Sequence, residues 1–118
     1  MITNRPWGFF NLLHKDSECW FKKVVVKPGQ RLSLQKHKYR DEVWTIVSGF
    51  ARITIRDDEF TAGQGSVLRI PAGSVHRIEN LGSKTDLVFL ETVTGKVIDE
   101  ADIERLQDSY GRVSDNNL

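Results

Sequence analysis

Apolar and polar positions alternate with a period of two through most of this chain. The stretches 20–27, 31–35, 42–48, 51–56, 66–70, 76–80 and 85–92 are rich in Val, Ile, Thr and aromatic residues, the composition of a pleated, half-buried strand. Turn residues separate them: Lys27, Pro28 and Gly29, then Asp57 and Asp58, then Ala62, Gly63 and Gly65, then Leu81, Gly82 and Ser83. The aspartate pair reads as a hairpin turn and the others as loops. Many short strands at close spacing predict an all-β fold, a small sandwich or barrel. The period changes after Ile98. Ile98, Ile103 and Leu106 sit among acidic and polar residues, Asp99 suits a helix N-cap and Asp102 its first turn. One short C-terminal helix is therefore predicted, ending before Gly111, followed by a frayed tail over 113–118.

Length and charge narrow the function classes. A chain of 118 residues suits one domain, 1–118, with a modest core. Its 17 basic and 16 acidic side chains leave a net charge of +1, with no basic tract for DNA or RNA. Cys19 is the one cysteine, so no disulfide forms within the chain. No apolar run is long enough for a signal peptide or a membrane span, and a reducing cytoplasmic location is the expectation.

Two stretches, 29–49 and 65–80, carry the chemistry. Side chains two apart on a strand share a face, so Gln35 and His37 reach one point inside a barrel. Glu42 has the opposite parity and must follow a bend, for which residues 38–41 supply polar side chains. His76 arrives from another strand after a sharp turn at Pro71, Ala72 and Gly73. Taken singly, each of these side chains also suits a plain structural role. Taken together, two histidines and a carboxylate buried in one small barrel would lack partners without a cation. An amide oxygen, a carboxylate and two imidazoles suit one divalent Zn, Mn, Fe, Co or Ni ion per subunit. Asn80 and the glycines fit turn geometry.

These residues match the two cupin signatures, G-x5-H-x-H-x4-E-x6-G and G-x5-P-x-G-x2-H-x3-N, with Gln35 where the first histidine usually stands. More narrowly, the chain resembles the type II mannose-6-phosphate isomerase domain, found in many bacteria behind a mannose-1-phosphate guanylyltransferase. The resemblance runs from Arg5, Pro6, Trp7 and Gly8, through Leu32 to Gln35, His37, Arg40, Glu42 and Trp44, to Pro71, Gly73, His76, Arg77 and Asn80. It ends on Asp102, Ile103, Arg105, Asp108, Tyr110, Gly111 and Arg112. It implies a jelly-roll cupin barrel and metal-dependent interconversion of mannose 6-phosphate and fructose 6-phosphate, serving GDP-mannose synthesis. It carries over Gln35, His37, Glu42 and His76 as metal ligands. The chain departs from the family where Lys38, Tyr39 and Val43 replace histidines, changes expected close to the mouth of the site.

Such an isomerase moves a proton between adjacent carbons through an enediol and needs a base. Glu91, pointing inward from the last strand, is the first candidate and Tyr39 a weaker one. Arg40, Arg77 and Arg105 lie in family-matching positions for the phosphate, although Arg77, next to His76, has outward parity. Lys22, Lys23 and Lys27 read as a solvated strand face, and Trp7 and Trp44 as core or subunit contacts. Aromatic residues clustered at Trp7, Phe9 and Phe10 suggest a homodimer. A second reading is a non-catalytic metal-bound cupin that binds a sugar or sugar nucleotide. A third is a metal-dependent enzyme acting on another small polar molecule.

Overall fold

The computed structural model describes residues 1–112, and among them every regular element is a strand. In chain order these are β1 (Ile2–Arg5), β2 (Gly8–Lys15), β3 (Trp20–Val26), β4 (Leu34–Lys36), β5 (Arg40–Ser48), β6 (Ala51–Ile55), β7 (Asp58–Ala62), β8 (Val67–Ile70), β9 (His76–Asn80), β10 (Leu87–Gly95) and β11 (Glu104–Gln107). They form two antiparallel sheets, ordered β1-β2-β3-β10-β5-β8 and β11-β4-β9-β6-β7. This is the jelly-roll cupin barrel expected from the sequence.

Strict alternation decides what faces inward. Along β10, Leu87, Phe89, Glu91 and Val93 are buried while their neighbours are not, and along β5 the same holds for Arg40, Glu42, Trp44 and Ile46. Val24, Val26, Trp44, Ile46, Leu87 and Phe89 from the first sheet meet Ala51, Ile53 and Ile78 from the second. One end of this sandwich is apolar; polar inward residues gather at the other. Lys22 pairs across from Glu91, and Glu91 from Trp44. In the facing sheet, Gln35 pairs across from both Arg105 and His76.

Two hairpin strands, β1 and β2, precede the first predicted one. They bury Trp7 in the core, and Phe10 packs against it. A Cβ on Gly8 would overlap the Val25 carbonyl oxygen, so glycine lets this hairpin lie on β3. Asn80 ties turns together as expected: its amide donates to Val26 O at 3.0 Å and Thr85 O at 2.8 Å, and its oxygen accepts from Gly82 N at 2.8 Å.

The predicted C-terminal helix is not formed. Asp99 caps a single turn, accepting from Ala101 N at 3.0 Å through its side chain and from Asp102 N at 3.0 Å through its carbonyl. The chain then extends and β11 pairs with β4, Glu104 opposite Lys36. A free sheet edge offers unpaired backbone groups, and Ile98, Ile103 and Leu106 do not make a helical stripe that would compete. The tail predicted to fray, 113–118, lies outside the described residues.

Candidate metal centre

Gln35, His37, Glu42 and His76 are all buried and come from β4, the loop after it, β5 and β9. Among the described residues, ligating atoms of His37, Glu42 and His76 lie within 4.8 Å of one another. His37 Nε2 is 2.8 Å and His76 Nε2 3.9 Å from Glu42 Oε2. Gln35 lines the same cavity.

The other ring nitrogens fix the tautomers. His37 Nδ1 lies 2.6 Å from Asp102 O, and His76 Nδ1 2.9 Å from Ser74 O. Each faces a carbonyl, so each carries a hydrogen and donates it. In the neutral rings this leaves each Nε2 lone pair on the Glu42 side, the arrangement that backbone acceptors enforce on metal-ligating histidines. His76 Nε2 is buried with no hydrogen-bond partner. A divalent ion fits this donor set, since it would give His76 Nε2 the partner it lacks while sharing Glu42 and His37 with Arg40.

Glu42 is braced on two further sides. Trp44 Nε1 donates to its Oε1 at 3.0 Å, and Arg40 Nε to its Oε2 at 3.2 Å. Arg40 also donates to His37 Nε2 at 3.1 Å. Burial pushes the Glu42 carboxyl up, but its close contacts with His37, His76 and the Arg40 guanidinium outweigh it and hold the group below its ordinary range. His76 moves down, because burial disfavours its cation more than Glu42 favours it. A neutral imidazole beside an ionised carboxylate is the state a metal requires.

One cavity opens onto this centre from the side of Gln35, His37 and Glu42, with His76 behind its wall. Its walls include Gln35, His37, Arg40, Glu42 and Trp44, with Glu91 and Lys22 beside them and Arg5, Arg105 and Arg112 among the remaining lining residues. Glu91 is buried as predicted. Burial and then the charge of Glu42 push its carboxyl up to about 8, against the pull of Lys22 and Arg40.

The other candidates fall elsewhere. Tyr39 is 45 % exposed and does not line this cavity. Arg77 does not line it either: Nε donates to Leu32 O at 3.0 Å, and its terminal nitrogens donate to Gln107 at 3.3 Å. Lys38 and Val43 likewise lie off the cavity wall, so these departures from the family pattern spare it. Trp7 and Trp44 are core residues that also line it.

Lys22 was read from sequence as solvated, yet it is 6 % exposed. Its ammonium sits 4.4 Å from the Phe10 ring centre and 3.8 Å from Glu100 Oε1. The signal was present, since Lys22 shares parity with Trp20, Val24 and Val26. Arg5, Glu100 and Arg112 were also missed, because they come from segments whose docking no local pattern specifies. A second group of potential ligands, His14, Asp16 and Cys19, sits at the β2–β3 turn with both His14 and Asp16 exposed. There Asp16 Oδ1 accepts from Glu18 N at 2.7 Å and Cys19 N at 2.8 Å, an ordinary side-chain turn.

Comparison with known proteins shows the family of the chain. Residues 2–108 match the family model described as mannose-6-phosphate isomerase C-terminal. Alginate biosynthesis protein AlgA of Pseudomonas aeruginosa is 42% identical over 114 residues, covering 97% of this chain and 24% of that protein. Mannose-1-phosphate guanylyltransferase ManC of Salmonella typhimurium is 38% identical over 109 residues, covering 92% and 22%. The chain thus spans about a quarter of the length of these curated relatives. Among solved structures, the capsular polysaccharide assembling protein CapF from Staphylococcus aureus superposes with a TM-score of 0.77 at 26% identity, covering 91% of this chain and 34% of that one.

Proposed function

Because the chain belongs to the mannose-6-phosphate isomerase C-terminal family, we propose that it is a metal-dependent sugar-phosphate isomerase that interconverts mannose 6-phosphate and fructose 6-phosphate. The observation that carries this reading is one cavity lined by potential metal ligands, a separate buried carboxylate and several arginines. His37, Glu42 and His76 would hold the ion, with Gln35 as a fourth ligand. When bound, the ion polarises the sugar carbonyl.

The remaining steps belong to side chains of this chain. Glu91 is inward and buried but stands outside the ligand cluster, so it removes the proton from C2 and returns it to C1. Lys22, directly across the strand pair from Glu91, donates hydrogen bonds to the sugar oxygens between which the hydroxyl proton moves. Arg105 keeps its place as a phosphate contact, with Arg5 and Arg112 from the same cavity wall. Arg40 braces Glu42 and His37, and Arg77 fastens β11 through Gln107. We further propose a reducing, cytoplasmic setting and a role in GDP-mannose synthesis. No helix among the described residues is long and apolar enough to cross a membrane.

Incubation of mannose 6-phosphate or fructose 6-phosphate in deuterated water tests the chemistry directly. Metal-loaded protein is expected to exchange the C1 or C2 proton and to convert one sugar into the other. Tight phosphosugar binding with neither exchange nor conversion across Zn, Mn, Fe, Co and Ni would overturn catalysis and favour a non-catalytic sugar-binding cupin.

A further inference from the structure

The loop bearing His37 is held from outside the cavity, and one residue provides most of the hold. Asp102 Oδ1 accepts from Lys38 N at 2.7 Å, and its Oδ2 from Tyr39 N at 2.9 Å. Its backbone carbonyl accepts from His37 Nδ1 at 2.6 Å. A single residue thus fixes three consecutive positions, the imidazole and the two amides that follow it. Gly73 N adds a bond to His37 O at 2.7 Å from the opposite side.

Asp102 also stands at the start of the C-terminal segment that leads into β11. It closes the turn begun at Asp99, and the residues after it line the cavity through Ile103 and Arg105 before β11 ends at Gln107. Moving this segment away would take the acceptor from His37 Nδ1 and release the loop together. The ring would then be able to rotate and to change tautomer, and its Nε2 lone pair would no longer be aimed at Glu42 and His76.

We propose that Asp102 is a positioning residue for the metal ligand His37, and that docking of the segment 99–107 and metal binding are coupled through it. The inference rests on reading His37, Glu42 and His76 as the metal centre. Removing a group that orients a ligating histidine typically costs roughly 10–100-fold in metal affinity. Linkage makes the effect reciprocal, so the bound ion must favour the docked segment by the same factor.

The test uses the full chain, Asp102→Ala and Asp102→Asn, with Co2+ as the probe. Co2+ affinity and its visible absorption are read by titration, and backbone hydrogen exchange is followed at residues 38, 39 and 104–107 with and without the ion. Asp102→Ala removes the two loop acceptors and leaves the carbonyl that faces His37 Nδ1, so it is expected to lose protection at Lys38 and Tyr39, to shift the Co2+ spectrum and to weaken binding at the lower end of that range, roughly 10-fold. Asp102→Asn, which keeps one acceptor oxygen and the same shape, recovers part of each. In the wild-type chain Co2+ slows exchange over 104–107, and in Asp102→Ala this slowing is reduced. Wild-type Co2+ affinity and spectrum in a folded Asp102→Ala chain overturn the proposal alone, even where the loop amides exchange faster. If Asp102→Ala does not fold, wild-type affinity and spectrum in Asp102→Asn, together with ion-independent exchange over 104–107 in the wild-type chain, overturn it equally. Absence of Co2+ binding by the wild-type chain overturns the metal centre and this proposal with it.

Discussion

His76→Leu separates the metal centre from the fold. The imidazole is 1 % exposed, and its Nε2 has no hydrogen-bond partner. Leaving such an atom buried costs about 1–3 kcal/mol, which an apolar side chain recovers. Against this stands the bond from Nδ1 to Ser74 O, worth about 0.5–1.5 kcal/mol net. The ring also lies 5.6 Å from Trp44 and 5.0 Å from His37, centre to centre, contacts worth about 0.5–1.5 kcal/mol. Gains and losses cancel to within about 1 kcal/mol, so the variant without metal should melt within a few degrees of the wild-type chain. Metal behaves differently. At free ion 100 times its Kd, the wild-type chain gains about 2.7 kcal/mol, a rise on the order of 10 °C for a chain of this size. His76→Leu removes one of two imidazole ligands and should abolish that rise. Thermal scans in EDTA and in excess Zn2+, Mn2+ or Co2+ measure both quantities. His14→Ala is the control, because His14 belongs to the other potential ligand group, at the β2–β3 turn. A full metal-dependent rise in His76→Leu, or its loss in His14→Ala, refutes the assignment.

Glu91→Gln should keep full metal occupancy by elemental analysis yet lose proton exchange at C1 and C2; retained exchange would move the base elsewhere. Asp16 should titrate at about 2 instead of the usual 3.8, drawn down first by its hydrogen bond with His14 and then by the amides of Cys19 and Glu18. A depressed carboxylate stabilises the fold above its ordinary pKa and loses that contribution as pH falls through its folded value. A carboxyl NMR titration checks this, and His14→Ala should raise the midpoint. Gly95→Ala should cost about 1–3 kcal/mol in denaturant unfolding, because φ is +143° and a Cβ would overlap Tyr39 O and lie 2.9 Å from Arg40 Cα; a wild-type midpoint counts against this reading of the β5 entrance. Light scattering is expected to give a homodimer, twice 13.5 kDa. A monomer would be consistent with Trp7 and Phe10 serving only the core they already meet.

The parts of this molecule legible in the sequence are those in which local pattern and tertiary placement coincide. Two-residue alternation placed Glu42, Trp44 and Ile46 on one face of β5, and Phe89, Glu91 and Val93 on one face of β10. The same alternation pointed Lys22 inward with Trp20 and Val24, but a lysine is ordinarily solvated and residue type overrode position. What compensates Lys22 is non-local: Glu91 across the strand pair, Glu100 from the C-terminal segment and the Phe10 ring from β2. The C-terminal strand failed for the same reason. Asp99 does cap a turn, but the edge of β4 that recruits the following residues lies more than 60 positions earlier, as the bond between Lys38 and Asp102 shows. The departures from the family pattern sharpen the point. Lys38, Tyr39 and Val43 sit next to ligands in sequence yet line no part of the metal cavity, whereas Arg5, Glu100, Arg105 and Arg112 do. Val43 lies one step from Glu42 along β5 and so crosses to the other face of the sheet, whereas Lys38 and Tyr39 lie in the bend after β4, where Asp102 holds their amides. If the cavity is the sugar-phosphate site, exchanges at Arg105 and Arg112 should alter substrate preference more than restoring histidines at Lys38, Tyr39 or Val43. Comparing kcat/KM for mannose 6-phosphate and unphosphorylated mannose across the two sets decides between these positions.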